Sequence, residues 1–313
     1  MDLNHLKELI QKIAISEGFV EIGYLNTNQA KFPGWLTNWL KNNYHGNMNW
    51  MQNHRTIREN PCTIIDSGKS IISLLYPYKT SSPKHWNHKH MISNYAWGKD
   101  YHIVIKKKLK RIYQNIQNQF PDFSGRYFVD SAPIPEKIVA AASGLGWIGK
   151  NSMLINKKYG SYVFIAELVC NQNFASTDLI KPGCGNCDKC IKICPGKAIV
   201  DNATIDSNKC ISYLTIEKRE EFTVEEQKII QYQLFGCDIC QQVCPWNKKT
   251  TDSEIPDYNC FDKWKDLTPQ KMLRISEAEF EDMKINSSLK RAGLDHLKRN
   301  AKAILNQQSG LID

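Results

Sequence analysis

Two cysteine-rich stretches constrain the fold of this chain more than any other feature of its sequence. The first, CGNCDKCIKICP at residues 184–195, separates four cysteines by two, two and three residues and has a proline after the last. The second, CDICQQVCP at residues 237–245, repeats that ending but holds only three cysteines. Four thiolates hold each cubane iron–sulfur cluster, and this spacing is typical of two-cluster ferredoxins. The sequence therefore predicts two [4Fe-4S] clusters and leaves one of the eight ligands to be found.

The spacing also predicts how the cysteines are shared between the clusters. In two-cluster ferredoxins the fourth cysteine of each motif ligates the other cluster, because the chain turns away after the third. The expected ligands of cluster 1 are Cys184, Cys187, Cys190 and Cys244. The expected ligands of cluster 2 are Cys194, Cys237, Cys240 and one cysteine from outside the motifs.

Cys210 is the best candidate for that remaining ligand. It lies between the two motifs and follows DNATIDSN at residues 201–208, a turn-rich stretch that can fold the chain back. The other cysteines outside the motifs are Cys62, Cys170 and Cys260, which lie farther from them or before the first. Two zinc knuckles are the alternative to two clusters, but the two-two-three spacing with proline fits zinc poorly.

Composition limits the class of protein. The chain has 313 residues, of which 42% are hydrophobic and 23% charged, as in ordinary globular domains. The first twenty residues lack the apolar core of a signal peptide, and no later run is long enough to cross a bilayer, so a soluble cytoplasmic protein is expected. Eleven cysteines there indicate metal rather than disulfides, because that compartment keeps thiols reduced. The net charge of +9 fits either a solvated surface or a polyanionic partner.

Outside the motifs the pattern is that of a mixed α/β chain. The predicted helices are at residues 3–16, 35–42 and 101–118, and the predicted strands at 70–78, 125–130 and 160–169. Between the motifs, Thr223 and Glu226 form a capping box that predicts the start of a helix, and Gly236 is expected to end it. Helical periodicity returns from about residue 267. Those last helices carry four cations that fit either a solvated face or a phosphate-binding surface: Lys290, Arg291, Lys298 and Arg299.

Three shorter motifs carry weaker signals. GLGWIG at residues 144–149 matches the glycine pattern of dinucleotide-binding loops, but a helical run precedes it and strand-like residues follow. Its glycines are therefore expected to end a helix and to let the backbone approach a neighbour closely. KHWNHKH at residues 84–90 holds three histidines, in a loop more typical of a solvated surface than of a metal site. DYH at residues 100–102 begins like the cobalamin-binding DxHxxG motif but has Ile105 in place of the glycine, so no cobalamin is expected to be held through it.

Asp130 lies in YFVDSAPIPEK at residues 127–137, after an apolar strand and before a proline-started helix. One interpretation is a turn or N-cap aspartate. The other is a general acid, because a carboxylate at the end of a strand beside an apolar cavity can have a raised pKa and keep its proton. The residues alone leave both interpretations open.

Together these stretches resemble the epoxyqueuosine reductases, cobalamin-dependent enzymes that complete queuosine at the wobble position of certain tRNAs. The similarity covers nearly the whole chain and supports Cys210 as the eighth ligand. It rests on the cysteine motifs and on RENP (58–61), WGKDYH (97–102), VDSAPIPEK (129–137), GWIGKNSMLI (146–155), YGSYVFIAEL (159–168) and CISYLTIE (210–217). It implies an α/β (α+β) fold: a nitroreductase-like cobalamin domain at residues 1–170, a ferredoxin-like di-cluster domain at 171–250 and a short C-terminal helical segment at 251–313.

The resemblance also implies the cofactors, the chemistry and the partners. Electrons from the two [4Fe-4S] clusters would reduce cobalamin to cob(I)alamin, which attacks the epoxide, and Asp130 would protonate the opening oxygen, which leaves as water. The expected partners are a tRNA, whose wobble base is unpaired in the anticodon loop, and a low-potential electron donor. No membrane is expected to take part, and a monomer is expected. The positions that line the corrinoid in the family are Arg58, Ser93, Asp130, Pro135, Leu154, Ile165 and Ser212.

Two other functions share part of this pattern. A corrinoid-dependent reductive dehalogenase acting on a small substrate would use the same clusters and cofactor, but such enzymes usually carry a twin-arginine export signal, which is not seen here. An electron-transfer ferredoxin would not need the region at residues 1–170. Extraction of the cofactor would separate the ferredoxin from the reductase, and a tRNA-binding assay would separate the dehalogenase.

We predict that anaerobically reconstituted protein binds about eight irons, four for each cubane cluster. The Cys210→Ala variant should lose about half of this iron, because cluster 2 would keep only three thiolates. Cys62→Ala, Cys170→Ala and Cys260→Ala are the matched controls and should lose none. Iron and sulfide analysis checks the prediction, and an unchanged iron count in Cys210→Ala would contradict the ligand assignment.

Overall fold

The protein is described by a computed structural model that covers residues 2–81, 91–201, 203–264 and 266–309. The histidine-rich stretch at 84–90 lies outside these residues. The helices are α1 (Leu3–Ser16), α2 (Thr37–Lys41), α3 (Arg55–Glu59), α4 (Tyr101–Gln119), α5 (Glu136–Ala142), α6 (Lys189–Ile193), α7 (Ile211–Ile216), α8 (Val224–Ile230), α9 (Ile239–Gln242), α10 (Pro245–Lys248), α11 (Pro269–Arg274), α12 (Glu277–Lys284) and α13 (Leu294–Gln308). The strands are β1 (Glu21–Asn26), β2 (Ser70–Pro77), β3 (Gly125–Phe128), β4 (Trp147–Ile148), β5 (Leu154–Ile155), β6 (Val163–Cys170), β7 (Ile199–Asp201) and β8 (Thr204–Ile205). Short 3₁₀ helices lie at Asn49–Gln52, Pro61–Ile64, Asn94–Ala96, Ser207–Lys209, Pro256–Tyr258, Asp262–Trp264 and Ser288–Arg291.

An antiparallel sheet with strand order β1-β2-β6-β3 forms the centre of the N-terminal region. Alternate residues of a strand point to opposite faces, and here both faces are covered. On one face Ile72 and Leu74 of β2 pack in a core with residues of α1 and α4. On the other face Leu75 and its partner Ile165 pack with Ala140 of α5. The two central strands therefore read as continuous apolar runs rather than as alternating ones.

The longest predicted elements are confirmed with small shifts at their ends. The helix predicted at 3–16 is Leu3–Ser16, and the one predicted at 101–118 is Tyr101–Gln119. Both begin after an aspartate whose side chain accepts backbone N–H groups of the first turn, Asp2 in α1 and Asp100 in α4. The predicted strands appear as β2, β3 and β6, and the helix predicted at 35–42 is the short α2.

The end of helix α8 differs from the prediction. Thr223 and Glu226 form the expected capping box, but the helix ends at Ile230, not at Gly236. Gln231 has a φ of 54°, in the left-handed region that interrupts a helix. Beyond it, the backbone N–H groups of Leu234 and Phe235 donate to the Met91 carbonyl, and both side chains are fully buried. The apolar residues that suggested a longer helix belong instead to an extended segment of the core.

The glycines of GLGWIG act as expected. Helix α5 ends at Ala142, and Gly144 follows with a φ of 74°; a Cβ there would lie 2.4 Å from the carbonyl oxygen of Asp178. A Cβ at Gly146 would lie 2.3 Å from the Ile155 carbonyl oxygen, across the β4–β5 pair. Strand β4 follows, where a dinucleotide-binding loop would need a helix.

A second apolar core joins the C-terminal helices to the region between the cysteine motifs. Trp264, Met272 and Leu297 pack in it with Leu214 of α7 and Ile230 of α8. It also takes in side chains of residues 91–97. None of the helices in the described ranges is both long enough and apolar enough to traverse a lipid bilayer.

Arg299 does not belong to a phosphate-binding surface, nor to a solvated face. It is buried, and its guanidinium donates to the carbonyl oxygens of Leu214, Lys218 and Glu220 while it lies 3.9 Å from the Phe222 ring centroid. Burial lowers the pKa of Arg299 to about 10. The guanidinium supplies donors to carbonyl groups that the end of α7 leaves unpaired.

We predict that Arg299→Ala lowers the free energy of unfolding by roughly 3 kcal/mol, because several buried carbonyl groups lose their donor. Lys298→Ala, one position earlier on the same helix and only half-buried, is the control and should change stability by less than about 0.5 kcal/mol. Chemical denaturation measures both. An Arg299→Ala variant as stable as the wild type would contradict this structural role.

Candidate functional site

The loop after strand β3 presents Asp130 to solvent in an uncommon backbone conformation. Its φ is 46°, in the left-handed region, and 66% of its side chain is exposed. Its backbone N–H donates to Oε1 of Glu136 at 2.6 Å. The N-cap of helix α5 is Pro135, with no side-chain cap, so the N-cap interpretation of Asp130 is wrong. Backbone strain of this kind is concentrated at functional sites.

The first two residues of helix α4 contact the Asp130 carboxylate. The hydroxyl of Tyr101 donates to Oδ2 of Asp130 at 2.6 Å, and Nε2 of His102 lies 3.7 Å from the same oxygen. The Tyr101 ring is stacked on Phe164 of strand β6 with centroids 4.4 Å apart, and the His102 ring is stacked on Tyr101 at 4.1 Å. Burial and the charge of Asp130 raise the pKa of Tyr101 well above its usual value, so Tyr101 remains a proton-bearing donor.

The carboxylate of Asp100 holds His102 in place from the other side. Its Oδ1 lies 2.8 Å from Nδ1 of His102, and its Oδ2 lies 2.6 Å from Nζ of Lys290. Asp100 is almost fully buried. Burial acts to raise the pKa of Asp100, but the hydrogen bonds from His102 and Lys290 outweigh it and hold the pKa well below its usual value.

Sequence reasoning missed Tyr101, His102 and Asp100 as site residues. In the sequence, DYH is an incomplete cobalamin-binding motif and part of the family-like stretch WGKDYH, and neither pattern gives its side chains a role. Its position at the start of the long amphipathic helix α4 was the available signal, because side chains at a helix N-terminus can project into a site. The sequence could not show that this end of the helix approaches Asp130, which lies 28 residues after His102.

Glu136 and Lys137 adjoin Asp130 and complete the site. Burial, together with the charge of Asp130, raises the pKa of Glu136 well above its usual value. Burial lowers the pKa of Lys137, against the attraction of Asp130, Cys210 and Cys240. The Lys137 side chain is nevertheless exposed. Asp130, Cys210 and Cys240 therefore all act on one lysine at the surface.

The structure brings the motif cysteines together in two sets. The members of the first set line one cavity of about 260 Å³: Cys184, Cys187, Cys190 and Cys244. The members of the second set lie within one another's electrostatic influence: Cys194, Cys210, Cys237 and Cys240. Burial raises the pKa of Cys240 well above its usual value, and the other three thiols of its set raise it further. Two groups of four thiols are the donor sets that two cubane clusters require, so the residues fit these cofactors.

The remaining cysteines lie elsewhere. Cys62 and Cys170 are buried in the cores of the sheet region, and Cys260 packs against the C-terminal core. Within the described residues, no group of three or more His, Cys, Asp or Glu side chains is arranged to hold a metal ion, as a zinc knuckle would require. A cubane differs because each thiolate binds a separate iron. The division of the eight cysteines between two clusters stays a prediction.

The positions expected to line a corrinoid fall into small groups. Leu154 and Ile165 pack in one apolar cluster beside helix α5, whose N-cap is Pro135. Ser212 lies in α7, two residues after Cys210. Ser93 is buried and hydrogen-bonds the carboxylate of Asp238, which lies in the second cysteine motif.

Arg58 stands apart from these groups. It is buried at the end of α3, where its Nε donates to the Asn53 carbonyl at 3.1 Å, and its guanidinium carbon lies 5.8 Å from the Trp50 ring centroid. None of the side-chain hydrogen bonds seen for Arg58 in the described ranges reaches the other six positions. Their joint role in holding a corrinoid stays a prediction.

A buried carboxyl group lies beneath helix α5. Glu167 of strand β6 is fully buried, and its Oε2 lies 2.7 Å from Oγ of Ser73. The same Ser73 oxygen lies 3.1 Å from Oγ of Ser143. The Ser143 hydroxyl in turn donates to the Val139 carbonyl. If Glu167 is protonated, each of these three contacts has one proton to share. If it is ionised, one contact has none. Burial raises the pKa of Glu167 well above its usual value, which agrees with this count.

These features define a class of protein: an iron–sulfur oxidoreductase with a separate α/β catalytic region. Residues 183–247 match the family described as "4Fe-4S double cluster binding domain", and residues 58–131 match "Epoxyqueuosine reductase QueG, DUF1730". An epoxyqueuosine reductase of Cellulophaga algicola is 40% identical over 295 residues, 94% of this chain and 96% of the relative. One of Leadbetterella byssophila is 42% identical over 271 residues, 85% of this chain and 86% of the relative. The chain belongs to the epoxyqueuosine reductase family.

Solved structures agree with this assignment. An epoxyqueuosine reductase crystallised with an epoxyqueuosine-modified tRNA-Tyr stem loop matches with a TM-score of 0.89 at 27% identity, over 97% of this chain and 82% of that chain. The epoxyqueuosine reductase of Streptococcus thermophilus matches with a TM-score of 0.83 at 27% identity, over 96% of this chain and 81% of that chain. The expected combination of a mixed α/β region with a double-cluster domain is therefore confirmed.

We predict that Glu167→Gln gains stability relative to the wild type as the pH rises from about 5 to 8. The pKa of Glu167 is higher in the folded than in the unfolded protein, so its contribution is complete below the unfolded pKa of about 4.3 and is lost as the pH rises toward the folded pKa. The limiting slope is roughly 1.4 kcal/mol per pH unit.

Apparent Tm measured across this pH range tests the prediction. Glu8→Gln, on the exposed side of α1, is the control and should keep the wild-type profile. A constant Tm difference between Glu167→Gln and the wild type would show that Glu167 is ionised in the folded protein.

Proposed function

We propose that this protein reduces epoxyqueuosine to queuosine at the wobble position of a tRNA, with cobalamin and two [4Fe-4S] clusters as cofactors. The observation that carries the proposal is the contact of Asp130 with Tyr101 and His102, near Lys137, on which the charges of Cys210 and Cys240 also act. In a chain of this family, this neighbourhood supports a role for Asp130 in proton transfer beside the second cysteine set. The comparisons support this substrate rather than the small substrate of a reductive dehalogenase.

The overall reaction fixes what the protein must supply. Removal of the epoxide oxygen breaks two C–O bonds, forms a C=C bond and releases water, and it consumes two electrons and two protons. Reduced cobalamin would supply the nucleophile that opens the epoxide, and the clusters would supply the electrons. The residues that would hold cobalamin are the apolar Leu154, Ile165 and Pro135 with the polar Arg58, Ser93 and Ser212.

Asp130 is the residue that gives a proton to the epoxide oxygen. Its side chain is exposed to solvent, and the Tyr101 hydroxyl fixes the direction of its Oδ2. Because Tyr101 donates to Oδ2, the other oxygen is free to carry the proton toward the substrate. Glu136 accepts the backbone N–H of Asp130 and so holds the loop in its left-handed conformation.

His102 is the residue that returns a proton to Asp130. Two protons are consumed in each turnover and Asp130 carries one, so it must be reloaded. Asp100 accepts Nδ1–H of His102, which directs Nε2 toward Asp130, the arrangement by which a carboxylate orients a catalytic histidine. Lys290 neutralises Asp100 without contacting Asp130 itself.

The tRNA and the surroundings of the reaction complete the proposal. An unpaired wobble base can turn out of the anticodon loop toward Asp130 without breaking a duplex. The net charge of +9 favours binding of the tRNA phosphates. The protein acts in the cytoplasm as a monomer. Its cobalamin region is residues 1–170, its cluster region is 171–250, and its C-terminal helical segment is 251–313.

We predict that Asp130→Asn retains its iron and still binds cobalamin and tRNA, but forms queuosine about a hundredfold to ten-thousandfold more slowly, because Asn cannot release a proton as a carboxylic acid does. Asn tolerates the left-handed backbone at this position, so the fold should be preserved.

Iron content, the cobalamin spectrum, Tm and queuosine yield are measured on one preparation. Asp122→Asn, on the exposed turn before β3, is the control and should turn over normally. Near-normal turnover by Asp130→Asn would mean that another group is the acid. A lowered Tm with retained turnover would make Asp130 a structural residue only.

A further inference from the structure

Three lysines surround the cavity of the first cysteine set. Lys150 follows strand β4, Lys189 begins helix α6 and Lys249 follows helix α10, and all three line the cavity. We call them the lysine rim. No carboxylate lines this cavity, and no member of the rim forms an ion pair in the part of the chain that the structure describes. Three distant segments of the chain thus bring unneutralised positive charge to one opening.

The acidic residue next to Lys189 in the sequence does not cancel this charge. Asp188 pairs with Lys192 at 2.8 Å; this hydrogen bond lowers the pKa of Asp188 and the charge of Lys150 lowers it further, so one carboxylate faces several cations. Residues 181–197 contain four lysines and only this one acidic residue. The surface around the first cysteine set is therefore positive.

Exposed apolar side chains accompany the lysine rim. Leu179 is 73% exposed and directly precedes Ile180, which packs against the cavity wall. Ile193, at the end of helix α6, is 49% exposed. Trp246 lines the cavity and packs edge-on against Trp147, with centroids 4.9 Å apart. Apolar residues within a ring of like charge are typical of a surface that binds a partner of opposite charge.

We propose that the lysine rim is the docking surface for the electron donor, a small acidic protein that carries one electron at a time. The proposal rests on the proposed function, which needs two electrons in each turnover. At each docking one electron passes from the reduced carrier to the oxidised cluster of the first cysteine set. The carrier is oxidised by one electron, the cluster is reduced by one, and no bond forms or breaks.

The position of the two cysteine sets favours a protein over RNA as the occupant. The cysteine charges that act on Lys137, beside Asp130, are those of Cys210 and Cys240. The second set therefore lies on the side of Asp130, and the first set lines a separate cavity of its own. A tRNA must place its wobble base at Asp130, whereas an electron carrier needs only close approach to a cluster.

The test is the double variant Lys150→Glu/Lys249→Glu. The probe is an acidic flavodoxin in its two-electron-reduced form, which gives up one electron to become the semiquinone. Stopped-flow bleaching of the cluster absorbance gives the second-order rate constant for reduction. We expect the variant to be about tenfold or more slower at low ionic strength, and the wild-type rate to fall with salt while the variant rate changes little.

The control is Lys107→Glu/Lys110→Glu, which changes the net charge by the same amount as the rim variant. Both positions are exposed on α4, which packs on the face of the four-stranded sheet opposite to α5. It should keep the wild-type rate and salt dependence. Iron content and the cluster potentials are compared in all variants, so that a damaged cluster is not mistaken for lost docking. Equal rates for the rim variant and the wild type would overturn the proposal.

Two further measurements separate this proposal from the proposed function. With dithionite in excess as reductant, the rim variant should form queuosine as the wild type does; a loss there would overturn the docking role. Absence of queuosine in the wild type under those conditions would count against the proposed function alone, because cluster bleaching by flavodoxin is still measured. If the rim variant binds tRNA more weakly by the same factor as flavodoxin, RNA is the occupant and the proposal is wrong.

Discussion

The buried carboxylate of Asp100 joins the parts of the protein on which the site depends. A carboxylate can be buried only if donors replace the water that it loses. Here the donors come from three places: the backbone N–H of His102 in the first turn of α4, the His102 ring, and the Lys290 ammonium. Asp100 also donates its own backbone N–H to the Asn286 carbonyl. The start of helix α4 is therefore fixed jointly by its own cap and by the C-terminal segment.

This arrangement gives the C-terminal segment a role in holding the start of α4 that its position in sequence does not suggest. Their apolar residues belong to a core shared with α7 and α8, away from the four-stranded sheet. Arg299 fastens α13 to the end of α7, close to Ser212, and Lys290 extends from the same region to Asp100. Arg291 pairs with Glu217 as well, so three of the four cations that could have been a phosphate-binding face are used within the protein.

What could be predicted from the sequence followed local chemistry. The cysteine spacing, the capping box of α8 and the end of α5 at Gly144 all depend on residues a few positions apart, and each was predictable. The contact of Tyr101 with Asp130 was not, because it depends on how α4 packs across β6. The same limit applies to Arg299, because its sequence position could not show that buried carbonyl groups are its partners. It also applies to the end of α8, because the apolar residues beyond Ile230 fill a core instead of extending the helix.

In the proposed reaction, protons would reach Asp130 through His102 and electrons would come from the cysteine sets, and Lys137 lies within the influence of both Asp130 and the second set. After the proposed proton transfer, the Asp130 carboxylate would face the Tyr101 hydroxyl on one side and the attraction of Lys137 on the other. Glu136 would not oppose these interactions, because burial and the charge of Asp130 raise the pKa of Glu136 and favour its neutral form. In the proposed mechanism the site would therefore carry one new negative charge, at Asp130, and His102 would remove it by returning a proton before the second half of the reaction.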